Sequence, residues 1–417
     1  MKDSGIPWVG EIPNEWSTYL TSTLFHEHKE RNLGLKETNL LSLSYGNIKR
    51  KDINTTEGLL PQSFETYNIV SKGDIVFRLT DLQNDKRSLR TGLCKESGII
   101  TSAYVTLRSN TGIDTRYFHY LYHSYDICKV FYGLGDGVRQ GMNYDDLRKV
   151  LVLLPSFKEQ QAIADFLDKK CSEIDELISL QEKIIEELKA YKQSVITEAV
   201  TKGLNPDVPM KDSGIEWIGK IPSHWQLLPS KRVFRGQKRI VGESADGYER
   251  LALTMRGVIK RDKEDNEGLQ PEKFDGYQVL KKNEIVFKLI DLQNEKTSRV
   301  GLSPYIGIVS PAYIIISNNQ SDNRFYYYWF LDMYYRLIFN KMGDDGVRSS
   351  LSMADVLNIP IPSILFKEQQ AIADFLDKKC SEIDSLIALK QDKIEYLKEY
   401  KKSIIYEYTT GKKDVNE

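Results

Sequence analysis

Residues 157–175 read FKEQQAIADFLDKKCSEID, and the same 19 letters return without a change at residues 366–384, an offset of 209. A second stretch, KDSGIPWVGEIPNEW at residues 2–16, returns at the same offset as KDSGIEWIGKIPSHW at residues 211–225. Looser matches lie between them, such as IVFRLTDLQN at 75–84 and IVFKLIDLQN at 285–294. The 417-residue chain is therefore predicted to be one module used twice.

The 19-letter stretch is predicted to open a long helix in each module. Ser156 and Glu159 form a capping-box pattern, and no proline follows until Pro206, just past Gly203. A helix over residues 156–202 would measure about 65 Å at about 1.5 Å per residue, which exceeds an ordinary domain diameter. Its copy is predicted over residues 366–410.

Apolar residues recur along both helices with a seven-residue spacing that is typical of helices packed on a partner helix. Two helices that each lie on their own domain are the alternative. The chain order favours two antiparallel helices packed on each other, with an approximate twofold axis. The predicted packing residues are Leu167, Ile174, Leu188, Val195, Leu376, Ile383, Leu397 and Ile404.

The residues before each long helix have the pattern of an α+β domain. Short β-type runs at 40–45, 74–79, 99–107 and 150–154 alternate with turn signals, and one helix-like stretch spans 116–132. The predicted organisation is a globular domain at 1–155, a helix at 156–202, a linker at 203–209, a second domain at 210–365, a helix at 366–410 and a tail at 411–417.

Composition predicts a globular, cytoplasmic protein. Apolar residues make up 41% and charged residues 28% of the chain, with no run long enough for a membrane span and no signal-peptide pattern. The four cysteines form no Cys-x-x-Cys pair, so no zinc site is predicted. The net charge of −1 means that any nucleic-acid surface must be local.

Two similar domains on a rigid spacer could grip two sites on duplex DNA. Arg and Lys bind phosphates and guanine edges, and Asn and Gln amides pair with adenine. Ordinary solvated surface is the alternative for such clusters. The predicted DNA-binding residues are Lys49, Arg50, Arg78, Thr80, Gln83, Asn84, Lys86, Arg87 and Arg139 in the first module, and Lys260, Arg261, Lys288, Gln293, Asn294, Lys296, Arg299 and Arg348 in the second.

The KDSGI-x-W-x-G-x-IP-x-x-W and FKEQQAIADFLD motifs closely resemble those of the specificity subunits of type I restriction-modification systems. The resemblance covers nearly the whole chain, in the family's own order. It implies two target recognition domains that read the halves of a bipartite DNA site, and helices that fix the unread spacer. It also implies a non-catalytic chain without a cofactor. The implied partners are two adenine-methylating modification subunits that use S-adenosylmethionine, to which the complex can add restriction subunits that use ATP with magnesium.

The unchanged helix openings are interpreted as a doubled docking surface for those partners. The alternative is recent duplication, which would preserve everything, yet the recognition regions have diverged while these 19 residues have not. The predicted docking residues are Lys158, Glu159, Gln160, Gln161, Lys367, Glu368, Gln369 and Gln370.

Motifs of catalysis are missing: the sequence has no phosphate loop ending in Gly-Lys-Ser/Thr, no Asp/Asn-Pro-Pro-Tyr/Phe and no His-Glu-x-x-His. His119 and His123 stand four residues apart, but Tyr327 and Leu331 replace them in the second module, so no metal site is predicted. Two alternatives stay open, a protein-binding coiled-coil scaffold and a duplicated nuclease that binds magnesium through acidic residues such as those at positions 74 and 81.

Because both modules keep the Asp-Leu-Gln-Asn stretch, the two half-sites are predicted to be related, which would give a near-palindromic target with an unread spacer. The two half-sites are expected to differ where the aligned positions of the modules differ. Arg78 aligns with Lys288 and Thr80 with Ile290, and the side chains of Arg and Lys differ in hydrogen-bonding geometry.

Overall fold

Contacts within the chain divide it into two units, Met1–Glu182 with Gln391–Glu417, and Lys183–Lys390. The computed structural model describes residues 1–54, 61, 63–80, 82, 89–110, 112–133, 141–263, 273–292, 298–342 and 350–415. The predicted domains followed one another along the chain, whereas each observed unit takes part of both long helices. The reason is that each helix segment buries its apolar face against a segment from the other module.

Unit 1 is built on a four-stranded antiparallel sheet in the order β4-β11-β8-β9, with smaller pairs β1-β2, β3-β12, β5-β6 and β7-β10. Its strands are β1 Lys2–Asp3, β2 Glu11–Ile12, β3 Ser17–Leu20, β4 Phe25–Glu27, β5 Leu41–Ser44, β6 Asn47–Arg50, β7 Asn68–Val70, β8 Ile75–Phe77, β9 Thr91–Leu93, β10 Gly98–Ile100, β11 Val105–Ser109 and β12 Leu151–Leu154. Its helices are α1 Thr21–Leu24, α2 Thr115–Ile127 and α3 Tyr144–Leu147. The long helix α4 spans Phe157–Lys202, and its first part belongs to unit 1.

Unit 2 repeats this plan, with the sheet order β16-β23-β20-β21 and the pairs β13-β14, β15-β24, β17-β18 and β19-β22. Its strands are β13 Met210–Asp212, β14 Lys220–Pro222, β15 Gln226–Pro229, β16 Arg235–Gln237, β17 Leu251–Thr254, β18 Gly257–Lys260, β19 Gln278–Leu280, β20 Ile285–Phe287, β21 Val300–Leu302, β22 Gly307–Val309, β23 Ile314–Ser317 and β24 Pro360–Ser363. Its helices are α5 Asn323–Tyr335, α6 Ile338–Met342, α7 Met353–Asn358 and the first part of α8, Phe366–Thr409. The α+β prediction is confirmed in both units.

The core of each unit lies between the four-stranded sheet and one amphipathic helix, α2 or α5. Asp114 caps α2 and Asp322 caps α5, each by accepting a hydrogen bond from the backbone N–H two residues on. Aromatic rings then meet edge to face across the interface: the Phe77 and Tyr122 centroids lie 5.0 Å apart. The equivalent rings of unit 2, Phe287 and Phe330, are also 5.0 Å apart. These contacts fix the helix on the sheet.

The long helices pack antiparallel within each unit. In unit 1 Lys401 donates to Asp175 at 2.7 Å, and in unit 2 Lys192 donates to Asp384 at 2.7 Å. The two pairs occupy equivalent positions of the two modules, since each residue of one pair lies 209 positions from its counterpart in the other. The packing therefore repeats as the duplication predicts. Of the predicted packing residues Leu167, Ile174, Leu376, Ile383, Leu397 and Ile404 are buried, while Leu188 and Val195 are half-buried.

Along the part of the chain that the structure describes, no helix combines the length and apolarity needed to cross a membrane.

Candidate nucleic-acid interface

In each unit a hydrogen bond joins the backbone that flanks two repeated segments of the sequence. The first, here the DLQN segment, comprises residues 80–89 in unit 1 and 290–298 in unit 2; the second, the DGVR segment, comprises 134–141 and 343–350. In unit 1 the Met142 N–H donates to the Leu79 carbonyl at 2.9 Å, and in unit 2 the Leu351 N–H donates to the Leu289 carbonyl at 2.9 Å. The residue before the DLQN segment is therefore bonded to the residue after the DGVR segment.

A β-hairpin stands beside this meeting point. In unit 1 it is β5-β6, and a Cβ added to Gly46 at its turn would lie 3.1 Å from the side chain of Leu89, at the end of the DLQN segment. Its stem packs on β9, where a Cβ at Gly92 would lie 2.6 Å from Leu43. Gly301 has the same relation to Leu253 in the unit 2 hairpin, β17-β18. In both units the hairpin therefore packs on the strand that follows the DLQN segment.

The hairpin carries exposed basic side chains in both units. Lys49 and Arg50 are exposed on β6, and Lys260 is exposed on β18. Arg50 Nε donates to both carboxylate oxygens of Glu96 at 2.7 and 2.8 Å. This hydrogen-bonded pair raises the pKa of Arg50 and lowers that of Glu96. Lys260 instead lies 3.5 Å from Glu249.

The remaining described candidates flank the DLQN segment or follow the hairpin. Arg78 and Lys288 are half-buried, Thr80 is exposed, and Arg261 is half-buried directly after β18. The backbone N–H of Arg78 donates to the Arg90 carbonyl at 2.8 Å. The other candidates lie outside the described residues: Gln83, Asn84, Lys86, Arg87, Arg139, Gln293, Asn294, Lys296 and Arg348.

Arg299 does not fit its predicted role in DNA contact. Its side chain is 1% exposed, and its guanidinium donates to the backbone carbonyls of Ile290 at 2.9 Å and Asp291 at 2.8 Å. Burial lowers its pKa from the ordinary value. The prediction was wrong here because an arginine beside a basic cluster in the sequence is expected to be exposed. The side chain of Arg299 is instead buried inside unit 2.

The helix openings also differ from the docking prediction. Gln160 is 2% exposed: its amide donates to the Pro155 carbonyl at 2.9 Å and accepts from the Asp114 N–H at 3.0 Å. Gln369, at 4% exposed, makes the same two bonds in unit 2, to Ile364 at 3.0 Å and from Asp322 at 2.9 Å. These glutamines tie the long helix to its own globular domain, so neither is available to a partner.

The glutamates join the two repeated motifs to each other. The Trp16 indole N–H donates to Glu159 at 3.3 Å, and that of Trp225 donates to Glu368 at 3.0 Å. Glu159 also accepts from the Ser156 N–H at 2.9 Å, which completes the expected capping box. Lys158, Gln161, Lys367 and Gln370 are the exposed members of the predicted docking set.

Two more repeated carboxylates bind the domain helix to the long helix. Arg116 donates to Asp165 at 2.6 Å and to Asp168 at 3.0 Å. In unit 2 Arg324 makes the equivalent bonds, to Asp374 at 2.7 Å and Asp377 at 2.8 Å. Part of the 19-letter repeat is therefore explained inside the chain.

The acidic residues of the nuclease alternative are engaged elsewhere. Asp74, 2% exposed, forms an ion pair with Arg108 at 2.7 Å, and its counterpart Glu284 pairs with Arg239 at 2.8 Å. Asp81 lies outside the described residues. Among the residues described, no group of three or more His, Cys, Asp or Glu could hold a metal ion. His119 and His123 are a half-buried pair on α2 of unit 1, with ring centroids 6.1 Å apart.

Known proteins resemble both units. The sequence model of the family described as "Type I restriction modification DNA specificity domain" matches residues 44–190 and 257–399. Two Methanocaldococcus jannaschii proteins are similar to the chain. One, named as the type I restriction enzyme MjaX specificity subunit, is 24% identical, covering 97% of this chain and 95% of the relative. The other, the type I restriction enzyme MjaVIII specificity subunit, is 25% identical over 76% of this chain and 75% of the relative.

Solved structures share the fold across almost the full length. A chain from a study of complex assembly and conformational transition of the type I R-M system superposes with a TM-score of 0.67 at 12% identity, covering 96% of this chain and 98% of that one. The crystal structure of an HsdS subunit from Thermoanaerobacter tengcongensis gives a TM-score of 0.50 at 13% identity, with the same coverage of 96% and 98%.

Proposed function

Because the chain belongs to the type I restriction modification DNA specificity domain family, we propose that it reads a two-part DNA site for partner subunits that act on the DNA. Each unit supplies one recognition surface, formed by the hairpin, the DLQN segment and the DGVR segment. The observation that carries this proposal is that the backbone before the DLQN segment is hydrogen-bonded to the backbone after the DGVR segment in the same way in both units, at Leu79 and Leu289.

The chemistry is assigned to the partners. Two modification subunits would methylate adenine with S-adenosylmethionine, and restriction subunits, where present, would use ATP and magnesium. The chain itself would be a non-catalytic, cytoplasmic component without a cofactor. Support comes from the two specificity subunits to which the chain is similar along three quarters or more of its length.

Docking of the modification subunits is proposed at the exposed positions of the helix openings, Lys158 with Gln161 and Lys367 with Gln370. A charged, exposed residue at the same place in both modules suits two copies of one partner. Lys158→Glu combined with Lys367→Glu should weaken assembly with the modification subunit in a pull-down. Lys211→Glu, an exposed lysine of the other repeated motif, is the control. Full assembly of the double variant would remove this surface from the proposal.

The two half-sites are proposed to be related and read from opposite strands. Both hairpins place a basic residue at the same strand end, Arg50 in β6 and Lys260 in β18. Both units also bury the leucine of the DLQN segment, Leu82 and Leu292, in the core. The same frame should therefore present similar contacts, which makes a near-palindromic site the expected result.

Methylome sequencing tests the function directly. A host expressing this chain with its modification subunit is compared with a host that lacks only this chain. The expected result is a bipartite, adenine-methylated motif that disappears with the chain. Lys49→Ala and Lys260→Ala should each weaken binding of the complex to DNA and reduce its salt dependence, because a phosphate contact releases counterions. Unchanged methylation without the chain would refute the proposal.

A further inference from the structure

Each unit contains one buried arginine that follows the DLQN segment. Arg90 is 0% exposed in unit 1, and Arg299, 209 residues later, is 1% exposed in unit 2. Arginine is rarely buried so completely, because its guanidinium loses hydration that must be replaced by hydrogen bonds. A pair that has survived duplication in this form needs a reason beyond filling space.

The bonds of the two guanidinium groups close the DLQN segment at its base. Arg90 Nη1 donates to the carbonyl of Thr80, the first residue of the segment, at 2.9 Å. Arg299 Nη1 and Nη2 donate to the carbonyls of Ile290 and Asp291 at 2.9 and 2.8 Å. Each arginine therefore joins the strand that follows the segment to the residues that begin it.

The Arg299 guanidinium binds at a point where the backbone of unit 2 has an unusual conformation. Asp291 has a φ of +54°, in the left-handed region that non-glycine residues seldom adopt. Leu292 then enters the core, and the Asn340 amide donates to its carbonyl at 2.5 Å. A planar fork holding two successive carbonyls sets the direction of the backbone, which a lysine, with its single flexible ammonium, does not.

We propose that Arg90 and Arg299 are positioning residues for DNA reading: Arg90 fixes the backbone at Thr80, and Arg299 fixes it at Ile290 and Asp291, each in its own recognition domain. The inference rests on the proposed function. Base discrimination depends on the geometry of donors and acceptors, so a shift of the backbone at these anchored residues would alter sequence preference without a direct contact between the arginine and DNA. Each arginine controls one half-site only.

The test uses the assembled complex of the full chain with its modification subunit. Arg299→Lys keeps the charge but loses the fork, and Arg90→Lys makes the same change in unit 1. Arg336→Lys is the matched control, because this half-buried arginine donates to the Trp217 carbonyl and to Asp332 rather than to the DLQN segment. Methylation of a library randomised in both half-sites is read by sequencing, and thermal unfolding is recorded for each variant.

Arg299→Lys should lower base discrimination about tenfold or more at one half-site and leave the other half-site at the wild-type level. Arg90→Lys should affect the opposite half, and Arg336→Lys neither. Wild-type discrimination in both lysine variants, or equal loss at both halves, would overturn the inference while the proposed function stands. So would failure of both variants to assemble, since the arginines would then serve folding. A wild-type complex without any bipartite motif would instead refute the proposed function.

Discussion

The half-buried histidine pair on α2 should make unit 1 sensitive to acid. His123 packs under the hairpin turn, with its Cε1 atom 3.5 Å from where a Cβ on Gly46 would lie. Burial, with the charges of Lys401 and Lys402, lowers its pKa from 6.5 to about 4. The native state therefore holds it neutral, while the unfolded chain takes up a proton below pH 6.5. The stability that it contributes is complete above pH 6.5 and is lost as the pH falls towards 4.

The expected size of this loss follows from the two pKa values. The difference between 6.5 and about 4, at about 1.4 kcal/mol per pH unit, corresponds to about 3 kcal/mol. His119, whose pKa is lowered to about 3 by burial and by His123, adds to the loss in the same direction. Leu331 occupies the equivalent place in unit 2, so His123→Leu copies a solution that the fold already uses.

Urea unfolding at pH 8 and pH 4 measures the effect, with hydrogen exchange of α2 as a probe of unit 1 and of α5 as an internal reference. His123→Leu should lose about 3 kcal/mol less than the wild type between the two pH values. His26→Leu, which alters an exposed ring, is the control. An unchanged pH dependence in His123→Leu would refute the assigned burial of a neutral ring.

Three further substitutions test the fold. Asp126 is fully buried, and burial raises its pKa to about 6. Asp126→Asn should therefore stabilise the protein by up to about 3 kcal/mol at pH 8 and not at pH 3.5, as measured by urea unfolding. An equal gain at both pH values would contradict this. Leu376→Ala should lower the free energy of unfolding by about 2–5 kcal/mol in thermal unfolding, because the side chain is 0% exposed. A loss below about 1 kcal/mol would show that this face of α8 is not packed. Trp225→Phe should lower the free energy of unfolding by about 1–2 kcal/mol, and its effect should be non-additive with that of Glu368→Gln in a double-mutant cycle. Additive effects would contradict the hydrogen bond between the two side chains.

Much of the architecture could be predicted from the sequence because periodic patterns report local structure. The long helices were predicted at 156–202 and 366–410, and the structure has them at Phe157–Lys202 and Phe366–Thr409. A seven-residue apolar spacing survives any tertiary arrangement that buries one helix face. The division into units could not be predicted in the same way, because it depends on which helix segments meet in space.

The roles of single polar residues in the site were less predictable. Gln160 and Glu159 stand side by side in a polar run, but their partners, Asp114 and Trp16, lie 46 and 143 residues away. Arg299 likewise could be distinguished from exposed Lys260 only by its burial. Sequence spacing contains no information on such long-range contacts, although the recurrence of both motifs at the same offset of 209 was a signal that they bond to each other.

The bonds between the repeated motifs explain how the two recognition surfaces could diverge without loss of the frame. Trp16 with Glu159, and Trp225 with Glu368, connect each domain to its long helix through residues that duplication left unchanged. The hairpin ends are free of this constraint. At the same strand end Arg50 donates two short hydrogen bonds to Glu96, whereas the Lys260 ammonium lies 3.5 Å from Glu249 and 5.6 Å above the ring of Tyr305. The Arg50 guanidinium must break a two-bond pair with a carboxylate before it contacts a phosphate or base, whereas the single, longer pair of Lys260 with Glu249 gives up less. The two half-sites should therefore be related in sequence yet unequal in their dependence on salt.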